Sequence, residues 1–236
     1  MKRKQILLIP IILLVILAAG SIFYVSDYYH ASPEALAYLE GTKNVEVKQI
    51  PQGLMLDGPG KNAAFIFYPG AKVEYTAYLP LLCRMAGEGV DCFAVEMPGN
   101  LAIFGKNKAT SIMEAYNYDK WYLGGHSLGG AVAAMYAAEK RAENLDGLVL
   151  MAAYPTEEVE VPTLTLYGSE DRVLNMEKLE EGKQFLPAEA ETVVIEDGNH
   201  AQFGDYGEQK GDGEATISRE EQMKVAVASI IDWMKN

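Results

Sequence analysis

Cysteine is scarce in this chain: Cys83 and Cys92 are the only two among 236 residues. Two thiols cannot build a disulfide framework. One falls in a stretch with helical character and the other in an apolar run with strand character, so both read as buried thiols packing as small hydrophobes. No cysteine follows the N-terminal apolar run, which leaves no lipoprotein attachment site. CxxC and HExxH are absent, and no spacing builds a metal site. Basic charge is also short, with 20 Lys and Arg against 33 Asp and Glu, a net of −13. So acidic a chain argues against nucleic acid and anionic lipid surfaces as partners of its main domain. Histidine is limited to His30, His126 and His200, so any imidazole chemistry must use one of these.

One apolar run stands out. After Lys2, Arg3 and Lys4, the 20 residues from Ile6 to Val25 carry no charge. As a helix they span ~30 Å, one hydrocarbon core. The run is longer than the core of a usual signal peptide, and Tyr24, Tyr28 and Tyr29 suit a membrane interface. We expect an uncleaved single-pass transmembrane helix, with cleavage and secretion at Ala18-Ala19-Gly20 as the alternative. Residues 1–29 carry three basic groups and one acidic; the chain total of −13 then leaves −15 on residues 30–236. The basic flank stays in the cytoplasm, so residues 30–236 are expected to form one extracytoplasmic domain.

Within that domain, "SPEALAYLEG" reads as a short helix capped by Ser32 and stopped by Gly41. "NVEVKQIPQGLMLDG" alternates like a hairpin. From residue 63 onward, short apolar strands alternate with helices, predicting an α/β fold: a mostly parallel sheet with helices on both faces. Such a sheet presents its chemistry beyond the carboxyl ends of its strands.

Four signals fall at those ends. Gly125-His126-Ser127-Leu128-Gly129 matches G-x-S-x-G between an apolar strand and an alanine-rich helix. A sharp strand-to-helix turn there lifts the Ser127 hydroxyl clear of the sheet. A nucleophilic serine needs a base. His30 lies beside the apolar run and His126 points away from the hydroxyl, which leaves His200 in "EDGNHAQFG". The base needs a carboxylate. Asp171 in "YGSEDRV" is the first candidate, Glu170 the second, and Glu196 and Asp197 lie too close to His200 in sequence. A tetrahedral oxyanion needs backbone donors. Leu128 N–H is one, and Ala71 N–H, after Pro69-Gly70, is the natural second.

With "YPGAKV", "GGHSLGG", "YGSEDRV" and "GNHAQFG" in this order, residues 45–236 resemble the α/β-hydrolase superfamily, and most closely a small, membrane-anchored or exported bacterial branch called the α/β-hydrolase-5 group. That group similarly continues after the histidine with a stretch like "FGDYGEQKGDGEATIS". The resemblance implies a Ser127–His200–Asp171 triad. YPGA stands where lipases have HGGG, and the connection before "PTLTLYG" is too short for the usual inserted lid. The expected activity is carboxylesterase-like: cleavage of short to medium acyl esters through an acyl-enzyme, on a small-molecule substrate, with no metal and no organic cofactor. An acyltransferase, a lipase-like enzyme acting on envelope lipids and a non-catalytic binding protein remain as alternatives. The run 204–214 reads as a solvated loop near the site mouth, its spacing not being that of an EF-hand. Tyr68, Tyr75, Tyr78 and Phe104 line either a substrate pocket or the core.

Overall fold

Strands β3 (Ala63–Tyr68), β4 (Val90–Val95), β5 (Lys120–His126) and β6 (Gly147–Met151) are almost wholly buried, as their continuous apolar sequences require of strands covered on both faces. They form the centre of an eight-stranded sheet completed by β1 (Glu46–Ile50), β2 (Gly53–Asp57), β7 (Thr163–Gly168) and β8 (Glu191–Ile195), in the order β1-β2-β4-β3-β5-β6-β7-β8. This computed structural model describes Gly20, residues 26–139 and residues 144–235. The β1–β2 pairing is antiparallel, as the hairpin pattern predicted, and so is β2–β4; the other pairings are parallel.

Alternation along β3 splits the core between two faces. Phe65 and Phe67 point into one layer, with Leu81, Leu82 and Met85 of the helix Leu79–Gly87 and Val227 and Ile230 of the helix Arg219–Trp233. Ala64, Ile66 and Tyr68 point into the other, with Ile112 of the helix Lys108–Ala115 and Val132 and Tyr136 of the helix Leu128–Ala137. Full burial of a side chain such as Phe67 contributes roughly 1.5–3 kcal/mol. Cys83 and Cys92 are free and buried in the first layer, and burial pushes the Cys83 thiol up to about 12. Residues 152–162 join β6 to β7 without a helix, so no lid is inserted there.

The expected membrane segment lies outside the described residues, Gly20 excepted; among those described, no helix is long and apolar enough to cross a membrane. The chain that follows it packs on the domain. Tyr29 pairs with the Lys72–Glu74 backbone, its N–H donating to Lys72 O at 2.7 Å and its carbonyl accepting from Glu74 N–H at 2.9 Å. Asp27 forms an ion pair with Lys72 at 2.7 Å. Ser32 caps the short helix Pro33–Leu36 through Ala35 N–H, as its sequence foretold.

Candidate active site

The serine sits on a strained corner. Ser127 follows β5 directly, at φ 52° and ψ −124°, and the helix Leu128–Ala137 begins at the next residue. A non-glycine residue held there costs ~1–3 kcal/mol. Its N–H donates to Met151 O at 2.9 Å and its carbonyl accepts from Ala131 N–H at 3.0 Å, so both sides of the corner are anchored. The flanking glycines are needed for close approach. A Cβ on Gly129 would run into the Tyr68 and Pro69 carbonyls, and one on Gly125 would lie 2.6 Å from Tyr68 O. The elbow and the end of β3 are therefore in backbone contact. Ser127, Leu128 and Ala71 are partly exposed, and among the described residues neither Leu128 N–H nor Ala71 N–H is paired.

His200 and Asp171 are both buried and meet directly, Nδ1 to Oδ2 at 2.8 Å. A carboxylate only accepts, so Nδ1 carries a proton, and in the neutral ring Nε2 then presents a lone pair. His200 Nε2 is buried and has no hydrogen-bond partner among the described residues. The other Asp171 oxygen accepts from Val173 N–H at 2.8 Å and Leu174 N–H at 2.7 Å, which fixes the carboxylate plane. Glu170 instead turns outward to Arg172 at 3.6 Å, and Glu196 and Asp197 are exposed. Of the four acidic candidates, Asp171 is the one paired with His200.

Among the described residues no hydrogen bond joins the Ser127 hydroxyl to His200; the ring of His126, next to Ser127, lies 4.5 Å, centroid to centroid, from that of His200. His126 is itself fully buried, its Nδ1 2.8 Å from the Tyr78 hydroxyl. Burial, and then the adjacent His200, hold its pKa well below the usual imidazole range. Of the four aromatics considered for a pocket, Tyr68 and Tyr78 are core residues. The Tyr68 hydroxyl accepts from Ala109 N–H and donates to Lys106 O. Phe104 is 68% exposed and Tyr75 partly so.

Several supports were not anticipated from sequence. Gln222, on the final helix, accepts from Asn199 N–H at 2.9 Å and donates to Asn199 O at 2.7 Å, clamping the peptide before His200. A signal existed: Gln222 lies on the same helical stripe as Ala226 and Ile230, a polar residue at a core position. The run 204–214 is built into the site rather than merely solvated. Asp212 accepts from Ala201 N–H at 2.8 Å, Gly213 O accepts from the Asn199 side-chain amide at 2.8 Å, and Asp205 pairs with Arg219 at 2.8 Å. Tyr206 within it is buried.

The parallel sheet thus carries a hydroxyl on a strained strand-to-helix corner and a buried imidazole–carboxylate pair on loops after later strands, all beyond the carboxyl ends of its strands. The chain belongs to the alpha/beta hydrolase family, whose model matches residues 64–224. No curated protein matches the sequence significantly. Among solved structures, the naproxen esterase of Bacillus subtilis is similar in fold, with a TM-score of 0.60 at 12% identity, covering 85% of this chain and 94% of its own. Esterase 2 of Thermogutta terrifontis, phosphoramylated by tabun, has a TM-score of 0.53 at 13% identity, covering 83% of this chain and 97% of its own. A bacterial membrane phospholipase A has a TM-score of 0.54 at 16% identity, covering 97% of this chain and 99% of its own. Family membership supports hydrolase activity, and these structures, at 12–16% identity, share the fold.

Proposed function

We propose that this protein is a serine hydrolase cleaving carboxylic esters, with Ser127 as nucleophile, His200 as general base and Asp171 orienting the base. The observation that carries this reading is the buried Asp171–His200 pair, whose free Nε2 lies at the sheet edge that bears the Ser127 elbow. His200 Nε2 takes the Ser127 proton as Oγ attacks the ester carbonyl. Ala71 N–H and Leu128 N–H, unpaired in the resting site, stabilise the oxyanion, helped by the positive end of the helix that starts at Leu128. The Nε2 proton then passes to the departing alkoxide. Water, deprotonated by the same nitrogen, attacks the acyl-enzyme carbonyl, and Ser127 leaves with its proton restored.

The short 152–162 connection supports an open site and short to medium acyl groups. Each buried methylene contributes ~0.8 kcal/mol, so specificity rises with chain length only while the tail stays out of water. Turnover of p-nitrophenyl esters of graded length tests this: specificity should level off by roughly eight carbons, whereas a preference restricted to long emulsified esters would contradict it. An added acceptor alcohol should leave the released acid as the main product; transfer to the alcohol instead would favour the acyltransferase reading.

A second reading, an ester of the membrane itself as substrate, is favoured by one contact. The residues after the apolar run are tied to Lys72, next to Ala71. If residues 6–25 anchor the protein with its domain outside the cytoplasm, this contact holds the site mouth near the bilayer. Recovery of the full chain in the membrane fraction, with the domain cleaved by protease added to intact cells, supports the anchor. A soluble, protected domain contradicts it.

A further inference from the structure

Resting on the hydrolase reading above, we propose that Tyr78 is a positioning residue for the oxyanion donors: its hydroxyl ties the peptide before Ala71 to the residue before Ser127. Two hydrogen bonds meet at that oxygen. Gly70 N–H donates to it at 3.1 Å, and His126 Nδ1 lies 2.8 Å away. Gly70 precedes one proposed donor, and His126 stands two residues before the other, Leu128.

The direction of the second bond is assigned from where the phenol proton can go. A phenol has one proton and two lone pairs, and one lone pair is taken by Gly70 N–H. His126 is fully buried among Tyr78, His200 and Phe203, a setting that favours the neutral ring. His126 Nδ1 is the one acceptor within reach of the buried phenol proton among the described residues, so we assign Tyr78 as donor to Nδ1, with the His126 proton on Nε2. The chain Gly70 N–H to Tyr78 O–H to His126 Nδ1 is thus polarised one way along its length.

The pair is also tightly enclosed. Tyr78 is fully buried against Phe67, ring centroids 4.7 Å apart, so its hydroxyl cannot swing to another partner. A Cβ on Gly70 would lie 3.0 Å from both His126 Nδ1 and the Tyr78 oxygen, so glycine lets this loop approach the pair. Without the hydroxyl, Gly70 N–H and His126 Nδ1 both lose their partner, and the Ala71 loop is no longer pinned to the elbow. Placement of the oxyanion donors matters mainly in the transition state, so the loss should fall on kcat.

The test compares Tyr78→Phe with the native enzyme. Expected are a kcat lower by about 10- to 100-fold, a KM within about threefold, and weaker inhibition by an alkyl boronic acid in proportion to kcat, since losing one oxyanion donor outright costs about 10²–10³. A folded Tyr78→Phe with native kcat and boronate inhibition overturns the proposal. His126 supplies an independent arm, which also serves if Tyr78→Phe does not fold. The Asn side-chain oxygen reaches the place of Nδ1, so His126→Asn should retain at least tenfold more kcat than His126→Leu; equal losses overturn the proposal. Nitrogen NMR of His126 reads the pair apart from turnover: an Nε2–H tautomer is expected, and an Nδ1–H tautomer contradicts the pairing. A native protein with that tautomer but no ester hydrolysis would count against the hydrolase reading instead.

Discussion

Asp171 faces His200 across 2.8 Å with its carboxylate already held by two backbone N–H groups, so the imidazole is oriented before any substrate arrives. Glu170, one residue earlier, is directed to Arg172. Asp171→Asn should therefore lower kcat by about 10⁴, the scale of the equivalent change in a well-studied triad, and Glu170→Gln by less than about threefold. Steady-state ester hydrolysis checks both. A larger loss in Glu170→Gln would reverse the assignment.

Much of this arrangement was legible in the sequence because its signals are local. Ser127 is marked by its glycines, and β3 to β8 by short apolar runs separated by helical stretches. Asp171 could be ranked above Glu170 but not separated from it, since neighbouring residues differ only in where the loop turns them. The bracing contacts were not legible, because they join distant residues: Tyr78 to His126 across 48 positions and Gln222 to Asn199 across 23. Composition also misdirected the reading of 204–214. A polar run reads as solvated, yet the short Asp212 carboxylate accepts an N–H from a loop that the fold carries to it.

The elbow glycines give a stability prediction. Gly129→Ala sets a methyl against the fixed backbone carbonyls of Tyr68 and Pro69, and overpacking of that kind costs roughly 1–3 kcal/mol or more. Gly87→Ala, at a helix end with open space around it, should instead stabilise by about 0.4–1 kcal/mol. Urea unfolding midpoints should move in opposite directions. Equal and small shifts would mean that the elbow tolerates side chains and is not tightly packed.

His126 links stability to pH. Its folded pKa is depressed by burial and by His200, while in the unfolded chain it returns to about 6.5. Below that pH the unfolded chain binds a proton that the fold excludes, so stability falls as pH drops. The slope approaches about 1.4 kcal/mol per pH unit until the folded pKa is reached. Between pH 7.5 and 5.5 the native protein should lose roughly 1.4 kcal/mol more than His126→Asn, which has no such group. Parallel pH profiles of the two would show that His126 titrates normally in the fold.

The central claim, that Ser127 is the nucleophile activated by His200, is tested most directly by labelling the folded protein with a fluorophosphonate and locating the adduct by peptide mass. The account predicts a single adduct on Ser127, absent in Ser127→Ala and formed far more slowly in His200→Ala. An unlabelled native protein, or an adduct on any other residue, would contradict it.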